Sequence, residues 1–422
     1  MQNFDLSIRT YAPTALELAV AASPAGDISG IDASIAPLDV ADLACLDRAA
    51  LREEAIAFTQ AVMPDPIREL WRESVGRAGD EGLRLRVRTA DPASAALPWE
   101  LLYDEARGHF LALNPSTPVV RYPEGPIPAS PPTRESPLRI LLTAASPLDQ
   151  PPLAVRPELD AIERHLATLA DDRRPTQVQR IDHLTAAAFD QALLAFRPHV
   201  WHFAGHGEWD EDAAMGMLIF EDEQGRSAPV DAAQLADWLR SRGVALAVLN
   251  ACEGAESGGD LWAGLAQGLV RAGVPAVAAM QASIGDEAAG AFGATLFLSL
   301  ATGHPLDAAV VHARQAMARL PARQADAGEW LLPALFMRAA DGRLWRETEA
   351  EEADRPSEGV ISIGKINAVN VGKTQIIDQR GSTFHTGGQT HIDTGGGAYV
   401  GGDVDTGGDF VGRDSHGGKG NK

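Results

Sequence analysis

The sequence contains few cysteines and no long hydrophobic run. Only two of its 422 residues are cysteine, Cys45 and Cys252, so at most one disulfide can form and a disulfide framework is excluded. So small a number is typical of a protein kept in a reducing cytoplasm. No run of about 18 apolar residues occurs, and the N-terminal segment MQNFDLSIRT has neither a basic start nor an apolar core. These absences predict a cytoplasmic protein with no membrane span and no secretory signal.

Positive charge is also scarce. Lysine and arginine number 36 against 58 acidic residues, which gives a formal net charge of -22 at pH 7. A surface of this sign repels the phosphate backbone, so direct nucleic-acid binding is not expected. The acidic excess would attract basic substrates, although it serves solubility equally well.

Composition divides the chain into five segments. Residues 1–125 mix strand-like and helical patterns and are expected to form an α/β region that packs on the domain after it. Residues 126–137 are a proline-rich linker, and residues 138–346 alternate strand and helix. An acidic tether, 347–358, leads into a glycine-rich repeat tail, 359–422.

The N-terminal segment predicts both strands and helix. Strands are expected at 5–9, 16–22 and 82–88. A helical stretch from Asp47 to Arg77 is expected to break at Pro64 and Pro66. Cys45 lies in an Ala- and Leu-rich stretch and is expected in the core.

Residues 138–346 predict an α/β sheet domain. The apolar runs expected to form strands are 138–144, 199–205, 215–221, 244–250, 275–280 and 333–338. The intervening stretches expected to form helices are 157–169, 185–195, 231–240, 262–271 and 286–300. Such an alternation is typical of a mostly parallel sheet with helices on both faces. Ligands bind these sheets outside the carboxyl ends of the strands.

Polar residues follow two of the predicted strands. The sequence WHFAGHG brings His206 to the end of 199–205, and LNACEG brings Cys252 to the end of 244–250. The flanking glycines are expected to leave the His206 ring accessible. A thiolate, favoured by a following helix N-terminus, and a neighbouring imidazole are the minimum for acyl transfer. The backbone N–H groups of Gly207 and Cys252 are candidates for an oxyanion hole.

The phrases HFAGHG and LNACEG resemble the signatures of the CHAT family, a branch of the caspase–separase clan of cysteine peptidases. Similarity to the family extends to PWELLYD (98–104), LNPSTPVVR (113–121), 138–162 and 268–292, and more weakly to 23–27. The resemblance implies that 138–346 is a caspase-like peptidase domain whose general base is His206 and whose nucleophile is Cys252, on adjacent strands. A small departure from the family pattern is Ala204, where the serine-rich versions of the signature have a serine.

Simpler interpretations exist for each motif taken alone. A single cysteine at a strand end is usually a small buried hydrophobe, and a histidine between glycines is often a turn residue. His202 and His206 have the spacing of helical metal ligands, but on a strand they are about 13 Å apart. We therefore predict no metal site and a hydrogen-bonded His202 in the core. The Asp-Thr-Gly triplets at 393–395 and 405–407 are expected to be turns rather than an aspartic-protease pair.

Three acidic residues are candidates for binding substrate: Glu253, Asp260 and Asp286. Each has a simpler role available, as a favourable charge at a helix N-terminus or as a helix cap. Segments 205–212 and 250–262 carry several acids and no lysine or arginine. This predicts a basic or apolar residue, rather than an acidic one, before the cleaved bond.

The tail alternates short apolar phrases with glycine. This pattern predicts a β-solenoid-like repeat, with a disordered tail as the alternative. So small a module would bury few apolar residues alone, and residues 359–415 are therefore expected to promote self-association or partner docking.

Two classes of function are consistent with these features. The first is a cysteine endopeptidase, without metal or cofactor, that cleaves a partner protein; the family resemblance implies activation by a signal or partner in a bacterial defence or cell-death pathway. The second is a non-enzymatic caspase-like scaffold that assembles through its tail. The presence of both His206 and Cys252 favours the first.

Overall fold

A computed structural model describes most of the chain up to residue 346. The gaps in that part are 13, 124–136, 154, 169–175, 211–214, 252–258, 321–327 and 340, and beyond it only 384–386 and 389–391 are described. The chain divides into two compact units, Met1–Ala353 and Asp354–Lys422. Nearly all of the predicted linker and the whole acidic tether lie outside the described residues.

The N-terminal region forms a meander of strands followed by helices and short strands. Its elements are β1 (Gln2–Ala12), β2 (Ala15–Ala22), β3 (Ile28–Ser34), α1 (Val40–Ala44), α2 (Arg48–Val62), α3 (Asp65–Ala78), β4 (Leu83–Thr89), α4 (Pro92–Ala96), β5 (Tyr103–Asp104), β6 (His109–Phe110) and β7 (Val119–Arg121). Asp47 caps α2, and Pro64 stands immediately before α3. The break predicted at the prolines is confirmed, because proline is compatible with a helix start but not with its interior.

Cys45 does not lie in the core. It is a free, exposed thiol at the C-terminal end of the short helix α1. The prediction of a buried Cys45 is wrong, because the apolar side chains of this stretch, Val40, Leu43 and Ala44, face inward and leave the next position outside.

The following residues alternate strand and helix at nearly all the predicted places. The elements are β8 (Leu138–Ala144), α5 (Val155–Thr168), β9 (Thr176–Ile181), α6 (Ala186–Phe196), β10 (Val200–Gly205), β11 (Gly207–Asp210), β12 (Met215–Glu221), β13 (Ser227–Asp231), α7 (Ala232–Ser241), β14 (Leu246–Ala251), α8 (Gly259–Arg271), β15 (Ala276–Met280), α9 (Asp286–Ala301), α10 (Leu306–Ala318) and β16 (Pro333–Met337). Strands β9, β11 and β13 and helix α10 lie outside the predicted elements.

Eleven strands form one sheet in the order β3-β2-β1-β4-β7-β16-β15-β14-β10-β8-β9. The neighbours β9, β8, β10, β14 and β15 are mutually parallel. Strand β16 is antiparallel to β15, and β7, β4 and β1 run parallel to β16. The predicted class, a mostly parallel sheet flanked by helices, is confirmed, and strands of the N-terminal region continue the same sheet.

The predicted strand at 215–221 is present but belongs elsewhere. Strand β12 pairs antiparallel with β11 and β13 in a separate sheet of three strands. Its apolar residues Leu218 and Phe220 are fully buried. Its assignment to the parallel sheet is wrong, because an apolar run indicates burial but does not specify the partner strands.

Apolar side chains cover both faces of the large sheet. Successive residues of a strand point to opposite faces, so Trp201 and Phe203 join one cluster while Val200 and Ala204 join the other. The first cluster includes side chains of α6, α7 and α8, and the second those of α5, α9 and α10.

Helices α5 and α9 approach each other closely at two glycines. A Cβ added at Gly290 would lie 2.7 Å from Cβ of Ala161, and one at Gly293 would lie 2.8 Å from Cδ1 of Ile162. A side chain at Gly290 would collide with the fixed Cβ of Ala161 and push the helices apart, whereas one at Gly293 would require the end of the Ile162 side chain to move. The two glycines therefore determine how closely α5 and α9 pack.

Beyond residue 346 the structure describes one hairpin. Strand β17 (Phe384–Thr386) pairs antiparallel with β18 (Gln389–His391) within the second unit. The rest of the glycine-rich tail lies outside the described residues, so self-association through 359–415 stays a prediction that light scattering on full-length and truncated chains can test. None of the described helices has the length and apolar character needed to cross a membrane.

Candidate active site

Two neighbouring parallel strands end where the sequence places its catalytic candidates. Strands β10 and β14 pair in parallel, and the last pair of their register is Gly205 with Ala251. His206 follows Gly205 directly, and Cys252 is the next residue in sequence after Ala251. Cys252 lies outside the described residues, so the structure gives the geometry of His206 and of the two strand ends.

The His206 imidazole is held by a backbone carbonyl. Its Nε2 lies 2.9 Å from the carbonyl oxygen of Pro151, in the loop between β8 and α5. A carbonyl oxygen only accepts hydrogen bonds, so Nε2 carries a proton and Nδ1 of the neutral ring is the atom able to accept one. Only 4% of His206 is exposed, so the accessible ring predicted from the flanking glycines is wrong.

Close packing explains why glycines flank His206 on both sides. A Cβ at Gly207 would lie 3.0 Å from the ring of Trp262 in α8, and one at Gly205 would lie 3.0 Å from the carbonyl oxygen of Ala145. Glycine is thus required for the close approach of neighbouring elements around the histidine. The role of the Gly207 N–H in an oxyanion hole stays a prediction.

The loop that supplies the Pro151 carbonyl is fastened to the small sheet. Gln150 Nε2 donates to Glu208 Oε1 over 2.8 Å, and Asp149 Oδ1 accepts from both the hydroxyl and the amide of Ser227. These hydrogen bonds from Ser227 hold the pKa of Asp149 below its ordinary value. The carbonyl that orients His206 is therefore fixed through its neighbours in the loop.

A family model identifies the protein family to which the chain is related. The family model of the CHAT domain matches residues 52–356, which is more than half of the chain. The chain belongs to the CHAT domain family. The resemblance seen in HFAGHG and LNACEG is confirmed, and the matched region also includes α2, β4 and β7 of the N-terminal segment.

Solved structures similar to this CHAT protein include three from the caspase-like cysteine peptidases. A complex of the Porphyromonas gingivalis RgpB pro- and mature domains is 13% identical, with a TM-score of 0.43 over 69% of this chain and 72% of that one. The Saccharomyces cerevisiae separase–securin complex is 12% identical, with a TM-score of 0.34 over 61% of this chain and 15% of that one. Spodoptera frugiperda caspase-1 is 13% identical, with a TM-score of 0.30 over 50% of this chain and 99% of that one. Among curated proteins none matches the sequence.

The substrate-binding candidates of the CHAT domain are only partly described. Glu253 lies outside the described residues, and Asp260 is the second residue of α8, of whose side chain nothing is described. Asp286 is exposed in the first turn of α9, where Gly285 rather than Asp286 occupies the N-cap position. A role in substrate binding stays a prediction for all three.

Buried polar residues lie beneath the two strand ends. His202 of β10 is hydrogen-bonded in the core, as predicted, and its partner is Glu158 of α5. Asn250 of β14 binds the same carboxylate. Glu158 and Asn250 were not among the predicted site residues, because a glutamate on an amphipathic helix has no local sign that it faces inward. Within the described residues, no group of three His, Cys, Asp or Glu side chains could hold a metal ion.

Proposed function

We propose that this CHAT protein is a cysteine endopeptidase that cleaves a partner protein through His206 and Cys252. The observation that carries the proposal is the parallel pairing of Gly205 with Ala251, which ends the two strands side by side directly before the two residues. The hydrogen bond from His206 Nε2 to the Pro151 carbonyl adds support, because it leaves Nδ1 as the base.

The proposed reaction proceeds through a thioester. His206 Nδ1 takes the proton of the Cys252 thiol, and the sulfur bonds to the scissile carbonyl carbon while the electron pair of the C=O bond moves to oxygen. Backbone N–H groups of Gly207 and Cys252 would stabilise that oxyanion. As the C–N bond breaks, the imidazolium returns its proton to the departing amine. Water, deprotonated by the same imidazole, then hydrolyses the thioester.

The Pro151 carbonyl would assist while the ring is charged. Its oxygen faces the Nε2 proton, so the dipole of the C=O bond stabilises the imidazolium that forms when the thiol loses its proton. The bond also fixes the orientation of the ring. Activation by a signal or partner, in a bacterial defence or cell-death pathway, is the part of the proposal that rests on family membership.

Cleavage-site mapping in a cell lysate tests the proposed function. The wild-type protein is expected to produce new N-termini that Cys252→Ala does not, because the alanine variant lacks the nucleophile. A peptidyl electrophile should label Cys252 in preference to Cys45, which is exposed and provides an internal control thiol. Equal labelling of both thiols and no new N-termini would refute the peptidase and leave the scaffold as the function.

The charge beside His206 predicts the residue before the cleaved bond. Glu208 and Asp210 follow His206 on β11, and the Glu208 carboxylate is tied to the loop that carries Pro151. Peptides with Arg or Leu at this position are therefore expected to be cleaved at least about tenfold faster than peptides with Asp, because like charges repel in a partly desolvated cleft.

A charge variant checks the source of this preference. Glu208→Gln keeps a side-chain oxygen that can accept from Gln150, so the loop anchor is retained. The variant should lower kcat/KM for the Arg peptide by about threefold to tenfold and leave the Leu peptide unchanged, since only the cation responds to the lost charge. Glu223→Gln, in the exposed turn between β12 and β13, is the matched control and should change neither. Efficient cleavage after Asp would contradict the prediction.

A further inference from the structure

A buried carboxylate connects the two strands that lead to His206 and Cys252. Glu158, in the first turn of α5, is only 2% exposed. Its Oε1 lies 2.7 Å from Nε2 of His202 on β10, and its Oε2 lies 2.6 Å from Nδ2 of Asn250 on β14. His202 precedes His206 by four residues, and Asn250 precedes Cys252 by two.

The chemistry of the carboxylate determines both partners. An ionised carboxylate accepts hydrogen bonds and donates none, so His202 must donate from Nε2 and Asn250 from its amide nitrogen. Within the described part of the chain, His202 Nδ1 and Asn250 Oδ1 are buried and have no hydrogen-bond partner. The side-chain hydrogen bonding of both residues therefore depends on Glu158.

The two hydrogen bonds act across the β10–β14 pair. In the register His202 is opposite Val248, and Ala204 is opposite Asn250, so Glu158 contacts the two strands at different heights. Side chains alternate between faces along a strand, which places His202, Ala204 and Asn250 on the α5 face. A diagonal link of this kind resists sliding and twisting of one strand end relative to the other.

The position of α5 makes the link possible. Glu158 reaches the sheet from a helix whose next turn packs directly against Gly290 and Gly293 of α9. The two hydrogen bonds of the Glu158 carboxylate lie in the low-dielectric interior, where hydrogen bonds are strong, and they favour one arrangement of the elements they join. The backbone ladder between β10 and β14 does not need Glu158, so the strands remain paired without it.

We propose that Glu158 is a positioning residue of the peptidase, which aligns the ends of β10 and β14 so that His206 and Cys252 meet at reacting distance. This inference rests on the proposed function. Glu158 does not touch the reacting atoms, and its effect on rate comes from geometry, because a displacement of about 1 Å at reacting groups can cost about 10²-fold.

Steady-state kinetics on the full-length protein test the role of Glu158. The substrate is a peptide containing a cleavage site found by the lysate mapping. Glu158→Ala is expected to lower kcat about 10²-fold and to change KM less than about threefold, because substrate contacts persist while alignment is lost. Rates are normalised to folded protein by the melting transition of each variant, so partial unfolding cannot imitate the loss.

The conservative variant separates positioning from simple packing. Glu158→Gln is expected to lower kcat only about tenfold, because its amide oxygen can still accept from Asn250. Its amide nitrogen can donate to His202 Nε2 once the ring proton moves to Nδ1. Glu163→Gln is the matched control on the same helix: Glu163 pairs with Arg180 at the surface, and kcat should stay at the wild-type value.

Thiol reactivity gives a readout that needs no turnover. The alkylation rate of Cys252 by iodoacetamide is measured against pH, and Glu158→Ala should shift the profile toward that of Cys45, which is a free, exposed thiol outside the site. Wild-type kcat and a wild-type alkylation profile in Glu158→Ala would overturn the positioning role while the peptidase stands. If the alanine variant does not fold, the same result in Glu158→Gln overturns it. Wild-type Cys252 that reacts no faster than Cys45 would overturn both proposals.

Discussion

Replacing His206 by alanine is expected to lower kcat/KM for peptide cleavage by about 10³-fold. General acid–base catalysis contributes about 10²–10⁴-fold, and His206 is proposed both to deprotonate the Cys252 thiol and to protonate the leaving amine. The ring is buried and held by the Pro151 carbonyl, so the alanine variant loses both the proton carrier and its fixed orientation. Steady-state kinetics on the mapped substrate measure the loss.

Alkylation at high pH separates the two roles of the histidine. Above the ordinary thiol pKa of about 8.5, Cys252 becomes a thiolate without help. Iodoacetamide should therefore label His206→Ala at pH 9.5 at close to the wild-type rate, while peptide cleavage stays low because the leaving amine still lacks its acid. His165→Ala removes an exposed histidine of α5 and should be neutral. Full peptide cleavage by His206→Ala would disprove the assignment of the base.

Replacing Glu100 by glutamine is expected to lower the free energy of unfolding by about 3–5 kcal/mol. Glu100 is buried between two buried arginines: its Oε2 is 2.5 Å from Nη2 of Arg121, and its Oε1 is 3.1 Å from Nη2 of Arg314. Burial lowers the pKa of Arg121, and it lowers that of Arg314 to about 10, which reflects the cost of desolvating both cations. Without the carboxylate, two guanidinium groups remain buried and face each other.

Urea unfolding, followed by the midpoint of the transition, measures this loss. Glu69→Gln, on the exposed side of α3, is the control and should change the free energy of unfolding by less than about 0.5 kcal/mol. Adding Arg314→Met to Glu100→Gln should recover part of the stability, because one unpaired cation is removed along with its partner. A Glu100→Gln protein with the wild-type midpoint would show that other groups compensate the two arginines.

The buried ion cluster gives a physical role to the PWELLYD segment. Glu100 belongs to that segment, Arg121 ends β7, and Gln281 directly follows β15 and binds both of them. Arg314 of α10 also donates to the carbonyl of Pro333, at the start of β16. The cluster thus connects the N-terminal region to the end of β15, the strand beside β14, and the family match that begins at residue 52 includes both sides of it.

Local patterns were sufficient for most of the secondary structure. Apolar runs such as 138–144 and 275–280 are strands within a residue or so of their predicted ends, because a strand covered on both faces needs a continuous apolar sequence. Strand β9, TQVQRI, was not predicted because it lies at the edge of the sheet, where polar side chains can face solvent. The prediction that β12 belongs to the parallel sheet was wrong for a different reason: the residues of β12 do not specify its partner strands.

The sequence by itself determined the family, the class of fold, and the two residues that carry the proposed chemistry. Those features depend on short phrases, HFAGHG and LNACEG, whose residues lie next to one another in the chain. Strand alternation, together with the rule that ligands bind at the carboxyl ends of strands, also indicates His206 and Cys252.

Only the tertiary structure decided which groups surround the site. Pro151 is 55 residues from His206, and Glu158 is 44 residues from His202 and 92 from Asn250. A carbonyl or a carboxylate is chemically the same wherever it stands in a sequence, and it becomes a histidine anchor or a strand link only when folding brings it within about 3 Å of a donor. Long-range contacts of this kind leave no periodic signal in the residues on either side, so they had to be seen in the folded chain.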